Sequence, residues 1–247
     1  MGYMGKTSKA FSKKLVQLKD FIWRIAILSF QVSLFFIIIY RMLPVPITPL
    51  PIVRVFEQAF GDDPVKLNKD WESIESLGKN ICLASLTSED PKFFQHYGFD
   101  FEQIIESLKK SFDKGKKPRG ASTISQQTAK NLFFTPSRSW IRKGLEVYVT
   151  VALELFWTKK RILEVYLNII EMGNGIYGAE AAALFYFNKS SSNLSTREAA
   201  AIAACYPNPR RWKANKPSKY IRRKQELIVR YMYKIGPLPW EKKSKKR

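Results

Sequence analysis

The stretch Glu89-Asp90-Pro91-Lys92-Phe93-Phe94-Gln95-His96-Tyr97-Gly98 gathers two acids, a histidine and a glycine turn. A carboxylate flanked by Leu83, Leu86, Phe93 and Phe94 is open to partial desolvation, which raises its pKa toward general-base duty. Taken alone this is weak, because acids at helix ends are common. A second stretch runs from Gly120 to Asn131. Ser122 or Thr123 is a natural N-cap there, and on a helix Ser122, Gln126 and Lys130 share one face. A helix N-terminus with a lysine further along suits an anionic group. In a third stretch Arg138, Arg142 and Glu146 recur every fourth residue, with Lys143 beside them. On their own they read as a solvated charge ladder, opposite Ile141, Tyr148 and Ala152.

Helices must position these groups. From about Asn68 onward the apolar residues recur at helical spacing and no stretch alternates like a strand, so the expected class is mainly α. Phe101, Ile104, Ile105, Leu108 and Phe112 form one stripe, with Lys109, Lys110 and Lys114 alongside. It is expected to pack on the domain core, or else to dip into a membrane surface. Ile141, Leu145, Tyr148, Val149, Ala152 and Phe156 form another. Thr158 caps a helix through Ile162, Leu163, Tyr166, Leu167 and Ile170, which Gly173 and Gly175 end. Ser195 and Glu198 make a capping box opening Ala199–Cys205. The polar segment Gly115–Gly120 reads as a mobile loop.

The formal net charge of +21, from 42 Lys and Arg against 21 Asp and Glu, calls for a polyanionic partner: nucleic acid, an anionic membrane or a phosphorylated substrate. Ile25–Tyr40 is an apolar run that, extended back over Phe21–Trp23, reaches the roughly 20 residues needed to span a bilayer. Lys6, Lys9, Lys13, Lys14 and Lys19 precede it, so the N-terminus is expected in the cytoplasm and the rest outside it. That location disfavours nucleic acid. No small-residue cleavage pattern follows the run, which favours an anchor over a cleaved signal. Four prolines between Pro44 and Pro51 predict an extended spacer. Cys82 and Cys205 read as small buried hydrophobes, and with His96 the sole histidine a structural zinc site is excluded. The expected divisions are a basic cytoplasmic tail (1–20), an anchor (21–43), a Pro-rich linker (44–66), a catalytic domain (67–235) and a basic tail (236–247).

Together the stretches resemble the motifs of the peptidoglycan glycosyltransferases, glycosyltransferase family 51. Glu-Asp-x-x-Phe-x-x-His-x-Gly matches at Glu89–Gly98 and Gly-x-Ser-Thr-x-x-Gln-Gln-x-x-Lys-Asn at Gly120–Asn131. Arg-Lys-x-x-Glu matches at Arg142–Glu146 and Lys-x-x-Ile-Leu-Glu-x-Tyr-Leu-Asn at Lys159–Asn168. A fifth motif matches at Gly173–Lys189, except that Asn188 stands where glycine is usual. Asparagine also tolerates left-handed backbone. The chain ends at Arg247 without room for a transpeptidase domain, so the resemblance is to the monofunctional biosynthetic members.

The resemblance implies a lysozyme-like fold with a small membrane-facing jaw, for which Phe101–Gly120 is the candidate. It implies lipid II and a growing glycan chain as substrates on the outer face of the inner membrane, with other cell-wall synthesis proteins as further candidate partners. By the same resemblance Glu89 is the general base, while Lys130, Arg138, Arg142 and Lys143 face the leaving pyrophosphate. Glu146 is the second carboxylate, acting on the leaving side or holding these cations or a divalent metal (Mg or Mn); no cofactor is otherwise expected. Asp90, His96, Ser122, Thr123, Gln126 and Gln127 shape the site or contact sugar. A lytic transglycosylase or lysozyme is the nearest rival, but its substrate gives no reason for the cation cluster. A non-catalytic membrane adaptor is the alternative of another class.

Overall fold

The computed structural model describes residues 3–61, 64–115, 120–137 and 139–241. The chain divides into two compact units, Met1–Leu43 and Pro44–Arg247.

The first unit is one helix, α1 (Tyr3–Tyr40). It runs through residues 20–21 without a break, so tail and anchor are one continuous element. Within it Lys13–Tyr40 is long and apolar enough to cross a membrane. Phe21, Ile22, Trp23, Leu28, Phe30 and Phe35 all project outward from the helix with half or more of their surface uncovered. A helix apolar all round matches a hydrocarbon environment. Ser33 donates to Phe30 O at 2.8 Å, so its hydroxyl is satisfied within the helix, as a lipid setting demands.

The second unit opens differently from the expected extended spacer. Residues Pro49–Ala59 form helix α2 after an extended Thr48. Pro49 and Pro51 fall in the first turn, where backbone N–H groups have no helical partner and a fixed φ favours the helix. The prolines therefore start a helix rather than prevent one. This segment also packs on the domain. Pro51 and Gln58 are buried, Gln58 Oε1 accepts from Lys66 N at 2.6 Å, and Lys69 Nζ donates to Val45 O at 2.6 Å and Pro46 O at 2.7 Å.

The remaining elements are α3 (Ile74–Leu77), α4 (Lys79–Glu89), α5 (Phe101–Lys114), α6 (Ile124–Phe133), α7 (Trp140–Phe156), α8 (Lys159–Ile169), α9 (Ala179–Phe187), α10 (Thr196–Cys205) and α11 (Lys219–Ile235), with a 3-10 turn at Ser191–Asn193. Three strands too short to show any sequence period, β1 (Asn68–Lys69), β2 (Glu171–Gly173) and β3 (Ile176–Tyr177), form a sheet of order β1-β3-β2. β1 runs parallel to β3 with Asn68 opposite Ile176, and β2 antiparallel with Glu171 opposite Tyr177. Thus α8 ends at Ile169, before Gly173 and Gly175, because the chain turns into a hairpin there.

Two helical layers hold the site. In one, α4, α10 and α11 pack against one another; in the other, α6 lies against α7 and α8. Residues Ala199–Cys205 of α10 are all buried, and their small side chains let α4 and α11 approach closely. Thr158 caps α8, and Ser195 with Glu198 forms the capping box of α10. Asn188 ends α9 in the left-handed conformation at φ 53°, the role its glycine counterpart would fill. Cys82 and Cys205 are buried free thiols.

Two further expectations are corrected. The α5 stripe does not pack on the core: Phe101, Ile105, Leu108 and Phe112 are 69%, 52%, 43% and 86% exposed. The fold also continues past residue 236. Leu238 is buried, Trp240 stacks edge-on against Phe94 at 6.0 Å, and Glu241 pairs with Lys79 at 3.3 Å. The tail reading for Lys242–Arg247 lies outside the described residues.

Candidate active site

The last residue of α4 is Glu89, and Asp90 follows as its C-cap in extended backbone. Asp90 is buried. Its Oδ2 accepts from Ile124 N at 3.0 Å, the first residue of α6, and its Oδ1 lies 2.9 Å from His96 Nε2. One carboxylate thereby joins the end of α4, the start of α6 and the intervening turn, and it sits at the positive end of α6. The joint is braced from both sides. Thr123, rather than Ser122, is the N-cap of α6, in a reciprocal capping box with Gln126; its hydroxyl donates to Gly98 O at 2.6 Å. Gly98 has φ +82°, and a Cβ there would lie 2.8 Å from Thr150 Cγ2, so only glycine lets the turn press against α7. Phe93 is fully buried under the Lys159 ammonium, 4.4 Å above its ring. Lys159 in turn pairs with Glu154, which accepts from Ser125 Oγ.

This frame aims Glu89 at α6. Gln127 Nε2 donates to Glu89 Oε2 at 2.8 Å, while Oε1 has only the longer 3.3 Å contact from Ser88 Oγ. Burial pushes the Glu89 carboxyl above its ordinary value, against the pull of Gln127 and of the Lys224 and Lys130 ammonium groups. One turn beyond Gln127 stands Lys130. Burial holds its ammonium below the ordinary lysine value; Glu146 and, more weakly, Glu89 attract its charge, while Arg142 and Lys143 repel it. Lys130 therefore lies in the combined field of both glutamates.

The third stretch turns inward. Glu146 is only 4% exposed and shares the buried face of α7 with Val149, Thr150, Ala152 and Leu153. The ladder is thus no solvated face: Glu146 Oε1 pairs with Arg142 and its Oε2 with Lys143 Nζ at 3.2 Å. The expected apolar stripe is split: Val149 and Ala152 are buried, while Ile141 and Leu145 are 79% and 47% exposed. Arg142 Nε is buried without a hydrogen-bond partner, so this guanidinium has unused donor capacity. Lys130, Arg142 and Lys143 against Glu146 leave a net positive cluster opposite Glu89. Ser122 is exposed just outside the cap, and Arg138 lies outside the described residues. A cavity of about 610 Å³ opens behind the catalytic turn, between Phe94, Gln95, Tyr231 and Leu238; neither glutamate lines it.

A half-buried carboxylate facing a cation cluster fits proton abstraction coupled to departure of a polyanionic leaving group. Comparison with known proteins agrees. The family model described as Transglycosylase matches residues 57–233. The chain belongs to this family. A biosynthetic peptidoglycan transglycosylase of Bdellovibrio bacteriovorus is 46% identical over 213 residues, covering 86% of this chain and 84% of that protein. One of Haemophilus influenzae is 47% identical over 216 residues, covering 87% and 88%, and one of Bacteroides thetaiotaomicron 46% over 213 residues, covering 86% of each. The mainly helical, lysozyme-like class of the transglycosylase domain is the one expected from the motifs. Within it, the motif positions Glu89, Asp90, His96, Thr123, Gln126 and Gln127 meet at one joint, and Lys130, Arg142, Lys143 and Glu146 at the next. Sequence reading misses Ser88, Ser125, Glu154 and Lys224 near this frame; Ser88 adjoins Glu89 but is a common residue type, and the partners of the other three are set by helix crossings.

The raised Glu89 pKa has a stability consequence. A carboxyl whose folded pKa lies above its unfolded value stabilises the fold at low pH, and that contribution is lost as pH rises through the folded pKa. Above it, ionised Glu89 is a destabilising group. Glu89→Gln is therefore expected to unfold at or above the wild-type Tm at pH 7.5, with the difference vanishing toward pH 4, as checked by thermal unfolding in detergent.

Proposed function

We propose that this protein polymerises lipid II into β-1,4-linked glycan strands, with Glu89 as the general base. The observation that carries the reading is the pairing of a desolvated Glu89 with the Lys130, Arg142 and Lys143 cluster. The names of the relatives support the same reaction. The acceptor sugar hydroxyl gives its proton to Glu89 as its oxygen bonds to the donor anomeric carbon. The bond from that carbon to the pyrophosphate breaks, the electron pair leaves with the lipid pyrophosphate, and the anomeric centre inverts. Inverting glycoside hydrolysis is the physical analogue, with a sugar hydroxyl in place of water. Gln127 fixes one oxygen of Glu89, leaving the other, which has only a long contact from the Ser88 hydroxyl, to take the proton. Lys130, Arg138, Arg142 and Lys143 stabilise the charge that grows on the leaving group. A lytic enzyme has no such leaving group and no use for this cluster.

The residues do not by themselves fit a divalent ion. Both oxygens of Glu146 are taken by cations, and among the described residues no three His, Cys, Asp or Glu side chains converge to hold a metal. No step above is routed through one. Asp90, His96, Thr123 and Gln126 serve mainly as the frame, since their polar groups bind one another and the backbone; Ser122, exposed at the mouth of α6, is free to meet sugar.

Membrane attachment follows from α1, with the basic N-terminal flank cytoplasmic and the catalytic unit on the outer side of the inner membrane. The bare apolar face of α5 is the jaw surface that meets the bilayer, where a lipid-linked substrate enters. Its basic residues gain about 1 kcal/mol each near an anionic leaflet.

Incubating the full-length protein with labelled lipid II should give polymer that is absent with Glu89→Gln, a loss of at least ~10²-fold; shortening of finished glycan by the wild type would instead support the lytic rival. Replacing Phe101, Ile105, Leu108 and Phe112 together by serine should raise KM for lipid II in vesicles while leaving the Tm within about 2 °C, because those side chains bury little on folding.

A further inference from the structure

A cation outside every recognised motif is seated at the end of α10, next to the carbonyl that meets Ser88 beside Glu89. Lys224 belongs to α11, and its Nζ donates to Ala204 O at 3.3 Å. The preceding carbonyl, Ala203 O, lies 3.3 Å from Ser88 Oγ, which also reaches Glu89 Oε1. Adjacent carbonyls at the end of α10 thus seat both the Ser88 hydroxyl and the Lys224 ammonium. That end of a helix is its negative pole and favours a cation. Arg222 and Arg223 stay exposed, whereas Lys224 is half-buried. Its ammonium and the Glu89 carboxylate attract one another across this gap, and burial opposes both charges, lowering the Lys224 pKa and raising that of Glu89.

We propose that Lys224 is a positioning residue for the general base: its ammonium, seated on the end of α10, keeps Glu89 ionised and aligned for the acceptor hydroxyl. The inference rests on the reading of Glu89 as the base. The groups facing Glu89 are Gln127 and Lys130 from α6, Lys224 from α11, Ser88 from α4, Tyr166 from α8, and Tyr206 just after α10. Both phenols are held neutral by burial, far above their ordinary value. Only two of these groups, then, are cationic. Lys130 divides its field between Glu89 and Glu146, and in turnover it also answers the leaving pyrophosphate. Lys224 is seated on the end of α10, and the carboxylate that acts on it is that of Glu89. It is the cation that can keep the base charged while Lys130 is drawn to phosphate. In a partly desolvated site such a charge acts without direct contact.

The test is the pH dependence of kcat/KM for lipid II with full-length wild type, Lys224→Gln and Lys224→Arg. A cation favours ionised Glu89, so its loss raises the base pKa. Lys224→Gln should move the acid limb upward by on the order of one pH unit, making the enzyme roughly tenfold slower on the acid side and near wild type above it. KM should stay within about twofold, because Lys224 does not touch substrate, and Lys224→Arg should return the limb. An acid limb that stays where the wild type has it, with or without a uniform fall in kcat, overturns the proposal and leaves Lys224 a structural link between α10 and α11. Lys224→Met makes the same comparison should the glutamine variant misfold. If Glu89→Gln polymerises as well as wild type, the base assignment itself fails; Glu89-dependent turnover with an unmoved limb refutes Lys224 alone.

Discussion

Asp90 is a carboxylate with 3% of its surface exposed, and it holds two pieces of chain, Ile124 N–H on Oδ2 and the His96 ring across both oxygens. A buried carboxylate without partners would cost several kcal/mol, so this arrangement is stable only while Ile124 N–H and His96 stay in place. That requirement makes the end of α4 and the start of α6 a single joint. Glu89 hangs from one side of the joint, and Gln127 and Lys130 from the other. The capping box of Thr123 and Gln126, the glycine at 98 and the Lys159 ammonium over Phe93 all tighten it. The placement of Glu89 depends on a geometry set by Asp90, His96, Thr123 and Gln126.

The proposed reaction makes two conflicting electrostatic demands, and the site separates the groups that would meet them. A base needs a poorly solvated carboxylate, and a pyrophosphate leaving group needs several positive charges close by. Were the cations paired directly with Glu89, its basicity would fall. Instead Arg142 and Lys143 are engaged by Glu146, and Lys130 shares its field between the two glutamates without binding either directly. Glu89 receives a neutral amide, a hydroxyl and the field of ammonium groups that form no ion pair with it. The Glu146 ion pairs also make the burial of Glu146 tolerable, since an unpaired charge at that depth would be strongly destabilising.

Much of the joint is legible in the amino-acid sequence. Motif spacing places Glu89, Asp90, His96, Gln127, Lys130, Arg142 and Glu146 in one constellation, and the caps at Thr158 and Ser195 follow from local chemistry alone. What the sequence hides depends on tertiary context. Prolines 49 and 51 suggest an extended spacer, but at a helix N-terminus they remove only N–H groups that had no partner. The α7 face reads inside out, because a ladder of Arg142 and Glu146 spells solvent unless a third cation waits across the cleft. The α5 stripe has an ordinary amphipathic period, and nothing in that period says whether protein or lipid covers it. Strands of two or three residues have no period to read. Lys224 sits in a helix of common basic composition, and only the crossing of α11 over α10 and α4 brings it to Glu89.

The central claim is that the protein environment, rather than the substrate, keeps the Glu89 carboxyl above the ordinary carboxylate range. Difference infrared titration of the substrate-free protein, wild type minus Glu89→Gln, isolates that one carboxyl. The account predicts a protonation midpoint clearly above the value of about 4.3 for a free glutamate side chain. A midpoint at or below that value would contradict it.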